Sequence, residues 1–485
     1  MLNNTTGEYL FIRGCIIFLR SIAPLSISYI TLLSLGLLRA YRLPLFIEII
    51  TALETVWYAC FWIYRKSYLQ RPAVHPRLYS EETRRKLVTR CIGLIPDYEA
   101  YISKWFLGAD PTDVKRENMK EFFRWAFFNT AVPNPSHDEE LADYIRQLER
   151  AIGRKIEPGR SDVKCLRLTL DNVVILHRSL VWYFCVSFVD NLTYFWLLFQ
   201  GFQFYRMSLY YTFSVFPPRL QTLVGTSPSP APDLSYWFRP HTSKSKLPIL
   251  FLHGIGIGLY PYCHFLAELK QKGIDGDVGI IAVEIMPISF RITSEATEKD
   301  TLCKKILAVL DHHGFDEFVL VSHSYGSIIT THLLRDPYVS TRISSMVIID
   351  PISILLHHPD VAYNMMIRQP QTAQEWQLWY FASKDAGVAH TLARRFFWFE
   401  NILWREDIAD RRATVFLSER DLLVNTPEVR NYLLEDSRKE DVDGTRRLSV
   451  VWCKGLDHGQ VFETKKWRGR LLDEVRKISS KRVVS

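Results

Sequence analysis

The chain has 485 residues, enough for two or three domains and at least one large core, and 48% of them are apolar, which excludes a mainly disordered protein. The formal net charge of +8 is a mild excess that suits a position near an anionic membrane surface. No basic stretch is interleaved with a nucleic-acid reading motif, so nucleic acid is set aside as a partner.

Residues 1–66 raise the membrane question. Ser21 to Leu38 carries no charge and is just long enough to span a bilayer. Leu43 to Tyr64 is a second apolar run, interrupted by Glu48 and Glu54, and Arg39 and Arg42 lie between the two. A carboxylate at bilayer depth is costly, which weakens the second run as a span. No small-x-small cleavage site follows the first run, as a signal peptide would require. The basic residues Arg65, Lys66, Arg71, Arg77, Arg84, Arg85, Lys86 and Arg90 come next, and such a flank stays cytosolic. The expectation is an anchor of one or two helices in the endoplasmic reticulum or another internal membrane, with the bulk of the chain in the cytosol. The alternative is a pair of buried or interfacial helices.

Residues 67–176 read as a soluble helical segment. Asp110-Pro111 has the form of an N-cap with proline at the first helical position. Ser136-His137-Asp138-Glu139 fits a capping box, and Gly153 a helix stop. Residues 177–224 open with an apolar block, 177–205, crowded with aromatics from Trp182 to Tyr205 and split by Asp190. That density suits a membrane interface, an acyl-lined groove, or a helix packed between domains. Gly225-Thr226-Ser227-Pro228-Ser229-Pro230-Ala231-Pro232 breaks the pattern and marks a boundary, so 225–485 forms the last unit. The eight cysteines include no C-x-x-C pair, which argues against a zinc or redox motif and for free thiols in a reducing compartment.

From about residue 235, short apolar runs alternate with helical stretches. Strands are expected at Ile249–Leu252, Gly279–Ile285, Phe318–Val321, Met346–Ile349, Val415–Leu417 and Leu448–Trp452. Leu302, Ile306, Val309 and Leu310 recur at helical spacing and stop at Gly314. This alternation means a parallel sheet covered on both faces, with chemistry beyond the carboxyl ends of its strands.

Ser322-His323-Ser324-Tyr325-Gly326 lies between such a strand and a helix, the setting a nucleophile elbow demands. The turn needs small residues two before and two after the nucleophile. Gly326 meets this, and Ser322 stands where glycine is usual. The loop after an earlier strand, His253-Gly254-Ile255, can supply one oxyanion N–H from Ile255, and the residue after the nucleophile, Tyr325, the other. The glycines at 254, 256 and 258 alternate, so they do not meet G-x-G-x-x-G and suggest no dinucleotide. After the last strand, His458 in Leu456-Asp457-His458-Gly459 is the candidate base. After the strand before it, Asp421 is the candidate acid, with Glu419 and Asp350 as rivals. Ser324 would attack an acyl carbonyl, His458 would take its proton, and Asp421 would fix the imidazole. His312-His313 and His357-His358 lack metal-ligand spacing and read as surface histidines.

These pieces resemble the α/β-hydrolase fold superfamily in its lipase- and esterase-like branch, over about residues 235–480. The amino-terminal half resembles the extension of membrane-associated fungal members. The resemblance implies an eight-stranded, mostly parallel sheet with a helical cap after the sixth strand, and neither metal nor cofactor. Residues 351–411 are the expected cap, rich in tryptophan and phenylalanine. The function expected is a membrane-associated serine hydrolase that cleaves a carboxylic ester of an apolar small molecule or lipid. The superfamily also holds acyl-transferring, lactone-forming and cyclising members and catalytically silent ones, so transfer and a lipid- or partner-binding scaffold stay open.

Overall fold

The computed structural model describes residues 4–38, 41–269, 272–273, 276–435 and 447–481. Two long apolar helices open the chain, α1 (Thr6–Ser34) and α2 (Leu45–Tyr64), packed against each other. Helix α1 starts well before Ser21 because Thr5 and Glu8 form a capping box that fixes its first turn. Arg39 lies outside the described residues. Both carboxylates of α2 are partnered. Glu48 accepts from Tyr29 and Arg42, and Glu54 accepts from the Leu180 backbone N–H at 2.8 Å and pairs with His177.

The helical segment follows, with α3 (Glu81–Gly93), α4 (Tyr98–Trp105), α5 (Arg116–Phe128) and α6 (Asp138–Ile152). Leu141, Tyr144, Ile145 and Leu148 put one face of α6 into a core shared with Trp105, Phe122 and Phe123. Gly153, at φ 79°, ends the helix in the left-handed region where glycine carries no steric cost. Ser136 does not cap α6. Asn134 caps a short 3₁₀ turn, Pro135–His137, that leads into it. Asp110-Pro111 likewise opens only the 3₁₀ turn Pro111–Asp113.

Arg84, Arg85 and Lys86 of the basic flank are spent on Glu140, Asp143 and Glu82, and Arg90 on Glu406. Arg65, Lys66, Arg71 and Arg77 stay exposed.

Helix α7 (Leu180–Phe199) carries most of the third apolar block, but the chain then turns, so Phe204 and Tyr205 belong to a strand. Asp190 of α7 points into the carboxy-terminal unit, 3.0 Å from both Arg219 and Arg291, and Arg219 continues to Glu284 at 2.6 Å. The opposite side of α7 exposes Phe184, Phe188, Phe195 and Phe199. The segments Thr6–Ser34, Leu45–Leu69 and Leu180–Phe199 are each long and apolar enough to cross a membrane.

The main sheet comprises β1 (Gln203–Arg206), β2 (Ser227–Pro228), β3 (Tyr236–Arg239), β4 (Ile249–Leu252), β5 (Ile280–Val283), β6 (Phe318–His323), β7 (Ile343–Ile349), β8 (Arg412–Ser418) and β9 (Leu448–Cys453). Its order is β9-β8-β7-β6-β4-β5-β3-β1-β2. It has nine strands rather than eight because the breaker at Ser227-Pro228 folds back as a two-residue edge strand. Strands β4 to β9 are parallel, and β3 runs antiparallel to β1 and β5.

Side chains alternate across the sheet with period two. Phe251, Val319, Val321 and Ile349 face α8 (Cys263–Glu268) on one side. Leu250, Leu252, Leu320 and Ile348 face α9 (Lys299–His312) and α10 (Gly326–Arg335) on the other. A final helix, α14 (Lys465–Ile478), covers the α8 face. Between β7 and β8 the chain leaves the sheet to form the cap, with α11 (Asp360–Met366), α12 (Ala373–Gln377) and α13 (Ala386–Arg394). This is the α/β-hydrolase fold, with a largely parallel sheet and an amino-terminal helical region.

The cap and the helical segment are joined. Lys104 reaches Asp360 at 2.6 Å, Trp398 Nε1 donates to Ala126 O at 2.9 Å, and His358 Nε2 meets Leu94 O at 2.9 Å. His357 and His358 are therefore buried rather than on the surface, because the seam between the two units runs over them. His313 is likewise half-buried, stacked on Phe238.

Candidate active site

Ser324 sits between β6 and α10 at φ 51°, a strained value for serine that the sharp strand-to-helix turn imposes. The turn is crowded. A Cβ on Gly326 would lie 2.5 Å from Leu252 O, so only glycine fits there. Ser322, in the position where glycine is usual, is fully buried and accepts a 2.8 Å hydrogen bond from Thr330 Oγ1. The small serine is accommodated because that bond satisfies its hydroxyl.

The loop after β9 carries His458, and the loop after β8 carries Asp421. The two loops meet over the elbow. His458 Nε2 lies 2.8 Å from Ser324 Oγ, and His458 Nδ1 lies 2.7 Å from Asp421 Oδ2. Asp421 is held by the backbone N–H groups of Leu423 and Val424 at 2.8 and 3.0 Å on its other oxygen.

The rival acids point elsewhere. Glu419 accepts from Gly455 N–H at 2.7 Å, on the outside of the loop. Asp350 accepts from Ser418 N–H, Ser418 Oγ and Gly459 N–H, which ties β7, β8 and the His458 loop together. Ligand atoms of Asp350, Asp421 and His458 lie within 4.8 Å of one another. Each of these groups also takes part in hydrogen bonds within the protein.

Burial alone would lower the pKa of His458. The adjacent Asp421 carboxylate, aided by Asp350 and Asp457, outweighs it and holds the imidazole up at about 9. The same crowding of buried carboxylates raises Asp350 and Asp457, mainly through desolvation, to about 6 each.

Tyr325 follows Ser324 in the elbow, and Ile255 lines the cavity beside it. Among the described residues neither backbone N–H donates to a protein acceptor. Gly254 lets the Ile255 loop press on the nucleophile, since a Cβ there would lie 2.7 Å from Ser324 Cβ. Tyr262 supports this loop from behind. Its hydroxyl accepts from Gly254 N–H at 3.1 Å and donates to His323 Nδ1 at 2.7 Å. Burial pushes His323 well below the usual imidazole range, so its ring is neutral and can accept that proton. Nothing in the sequence pattern singles out Tyr262.

A cavity of about 80 Å³ opens on Ser324, His458 and Ile255. Its remaining walls are almost wholly apolar. Leu356, Met365, Leu392 and Phe396 come from the cap, whereas Trp105, Trp125 and Leu168 come from the helical segment. A larger cavity of about 270 Å³ touches Tyr325 but neither Ser324 nor His458. Among its charged groups, Lys299 pairs with Glu400 and Arg395 with Glu295 and Glu298.

The carboxy-terminal half has the α/β-hydrolase fold, and residues 248–401 match the family model described as alpha/beta hydrolase fold. No curated protein matches the chain. Among solved structures, it is similar to a carboxylesterase of the ammonia-oxidizing thaumarchaeon Nitrososphaera gargenis, at 14% identity over 52% of this chain and 97% of that one, TM-score 0.35. It is similar to the naproxen esterase of Bacillus subtilis, at 16% identity over 50% and 87%, TM-score 0.32. An esterase of Rhodococcus shows 17% identity over 51% and 96%, TM-score 0.35.

Proposed function

We propose that the protein is a membrane-associated serine hydrolase that cleaves a carboxylic ester of an apolar substrate. The observation that carries this reading is the hydrogen-bonded chain Ser324–His458–Asp421 at the mouth of an apolar cavity. Neutral His458 takes the Ser324 proton as Oγ attacks the carbonyl carbon. The N–H groups of Ile255 and Tyr325 receive the developing oxyanion, each contributing about 3 kcal/mol at the transition state. Imidazolium His458, steadied by Asp421, then gives its proton to the leaving alkoxide, and the acyl group stays on Ser324. Water, deprotonated by His458, attacks the acyl-enzyme, releasing the acid and restoring the serine.

Helices α1 and α2 are the membrane anchor in this reading. The exposed Arg65, Lys66, Arg71 and Arg77 at the end of α2 favour a cytosolic catalytic domain on an internal membrane. Protease protection in sealed microsomes tests the orientation. A shielded carboxy-terminal half would reverse it.

A fluorophosphonate probe tests the chemistry. Labelling of the full chain should vanish in Ser324→Ala, and Asp421→Asn should slow turnover of p-nitrophenyl esters by ~10³–10⁴-fold while Glu419→Gln leaves it unchanged. Unlabelled wild-type protein would leave a binding scaffold. An alkyl ester formed with added alcohol in preference to the free acid would identify a transferase.

A further inference from the structure

Three tryptophans line the cavity beside Ser324, Trp105 and Trp125 from the helical segment and Trp398 from the cap. The Trp105 and Trp125 ring centroids lie 5.4 Å apart. Trp125 Nε1 donates to Thr169 Oγ1 at 3.1 Å, and Trp398 Nε1 to Ala126 O at 2.9 Å, so two of the three indoles are fixed by hydrogen bonds. Behind them lie two small voids of about 20 Å³ each, inside the helical segment and along its seam with the cap. Trp105 lines the front cavity and both rear voids. It is the partition between them.

We propose that the helical segment 67–176 is the length-selecting element of the site, with the Trp105 indole as the floor that limits the acyl chain. This rests on the hydrolase reading above. The front cavity of about 80 Å³ is apolar over nearly all of its walls and about four times the size of either rear void. The substrate class is therefore an ester with an apolar acyl chain of limited length, with the carbonyl at Ser324 and the methyl end against Trp105. Removing the indole joins the front cavity to the rear voids and adds room for several methylenes. Because the floor comes from outside the hydrolase fold, an isolated carboxy-terminal half would lack one wall of its own pocket.

The test uses the full-length protein and alkyl fluorophosphonates of graded length, scored by labelling rate. Wild type should label progressively more slowly once the chain exceeds the length the floor allows. Trp105→Ala and Trp105→Leu should raise the rate ratio of twelve- to six-carbon probes by about fourfold per newly accommodated methylene, so ~15-fold for two. Leu168→Phe, which fills the cavity, should lower that ratio. Circular dichroism and a melting curve identify any variant that fails to fold. Folded variants with the wild-type length profile would overturn the floor while leaving the hydrolase reading intact. Wild-type protein unlabelled at every length would overturn both.

Discussion

Gly254→Ala probes the least forgiving contact in the site. A Cβ there would approach Ser324 Cβ to 2.7 Å and His323 Nδ1 to 2.9 Å. Ordinary contact begins at 3.4 Å, so the nucleophile and the Ile255 loop must part by about 0.7 Å. Neither partner moves freely. Ser324 is pinned by its N–H bond to Ile349 O at 3.0 Å and by the turn itself, and His323 by Tyr262. Overpacking of this kind costs about 1–3 kcal/mol of stability. A displacement approaching 1 Å at a reacting centre costs up to ~10²-fold in rate. The expected outcome is a ~10- to 100-fold slower reaction with a short fluorophosphonate, in a protein that still folds with a modestly lowered melting temperature. Labelling within twofold of wild type at unchanged stability would refute the idea that the loop is clamped against the nucleophile.

The pH profile follows from the carboxylates around His458. Its imidazole must be neutral to accept the serine proton, and its pKa is held at about 9. The labelling rate should therefore fall as pH drops from 9 through 7, and Asp350→Asn should move that limb to lower pH by removing one carboxylate that favours imidazolium. A limb at the position of a free imidazole in wild type, or no movement in the variant, would contradict this. In the buried cluster below α7, Arg219→Met leaves Glu284 without its guanidinium and Asp190 with Arg291 as its remaining cation. Breaking such a pair costs about 3–5 kcal/mol. A loss under 1 kcal/mol in denaturant titration would show that the cluster is not paired as described.

The chemistry of the site was legible because it is local. The elbow needs a strand, a small-residue turn and a helix in a row, and the order serine, acid, histidine follows the strand order. The choice among Asp421, Glu419 and Asp350 was open, since all three stand at strand ends. Only their hydrogen bonds separate them.

Long-range pairing hid the rest. Glu48 and Glu54 looked costly in an apolar run because Arg42, Tyr29, His177 and the Leu180 amide reach them through the fold. Asp190 looked like an interruption and is instead the anchor of α7 on Arg219 and Arg291. Nothing in the sequence marks Trp105 and Trp125, because no period reports that a helical segment borders another unit's cavity. His357 and His358 followed the same pattern, with polar residues buried at a seam between segments far apart in the chain.

The hold of α2 on the rest of the molecule changes how the proposed anchor should be regarded. Glu54 takes the first N–H of α7, Trp57 Nε1 donates to Arg178 O at 2.9 Å, and Phe61 packs with Val173, Ile175 and Ala389 beneath the cap. Helix α1 rests Ile12 and Ile16 on Tyr380 of the cap. A tether can be cut from its cargo, but these two helices act as a buttress. Trimming them to gain solubility would uncap α7 and bare the underside of the lid that roofs the serine.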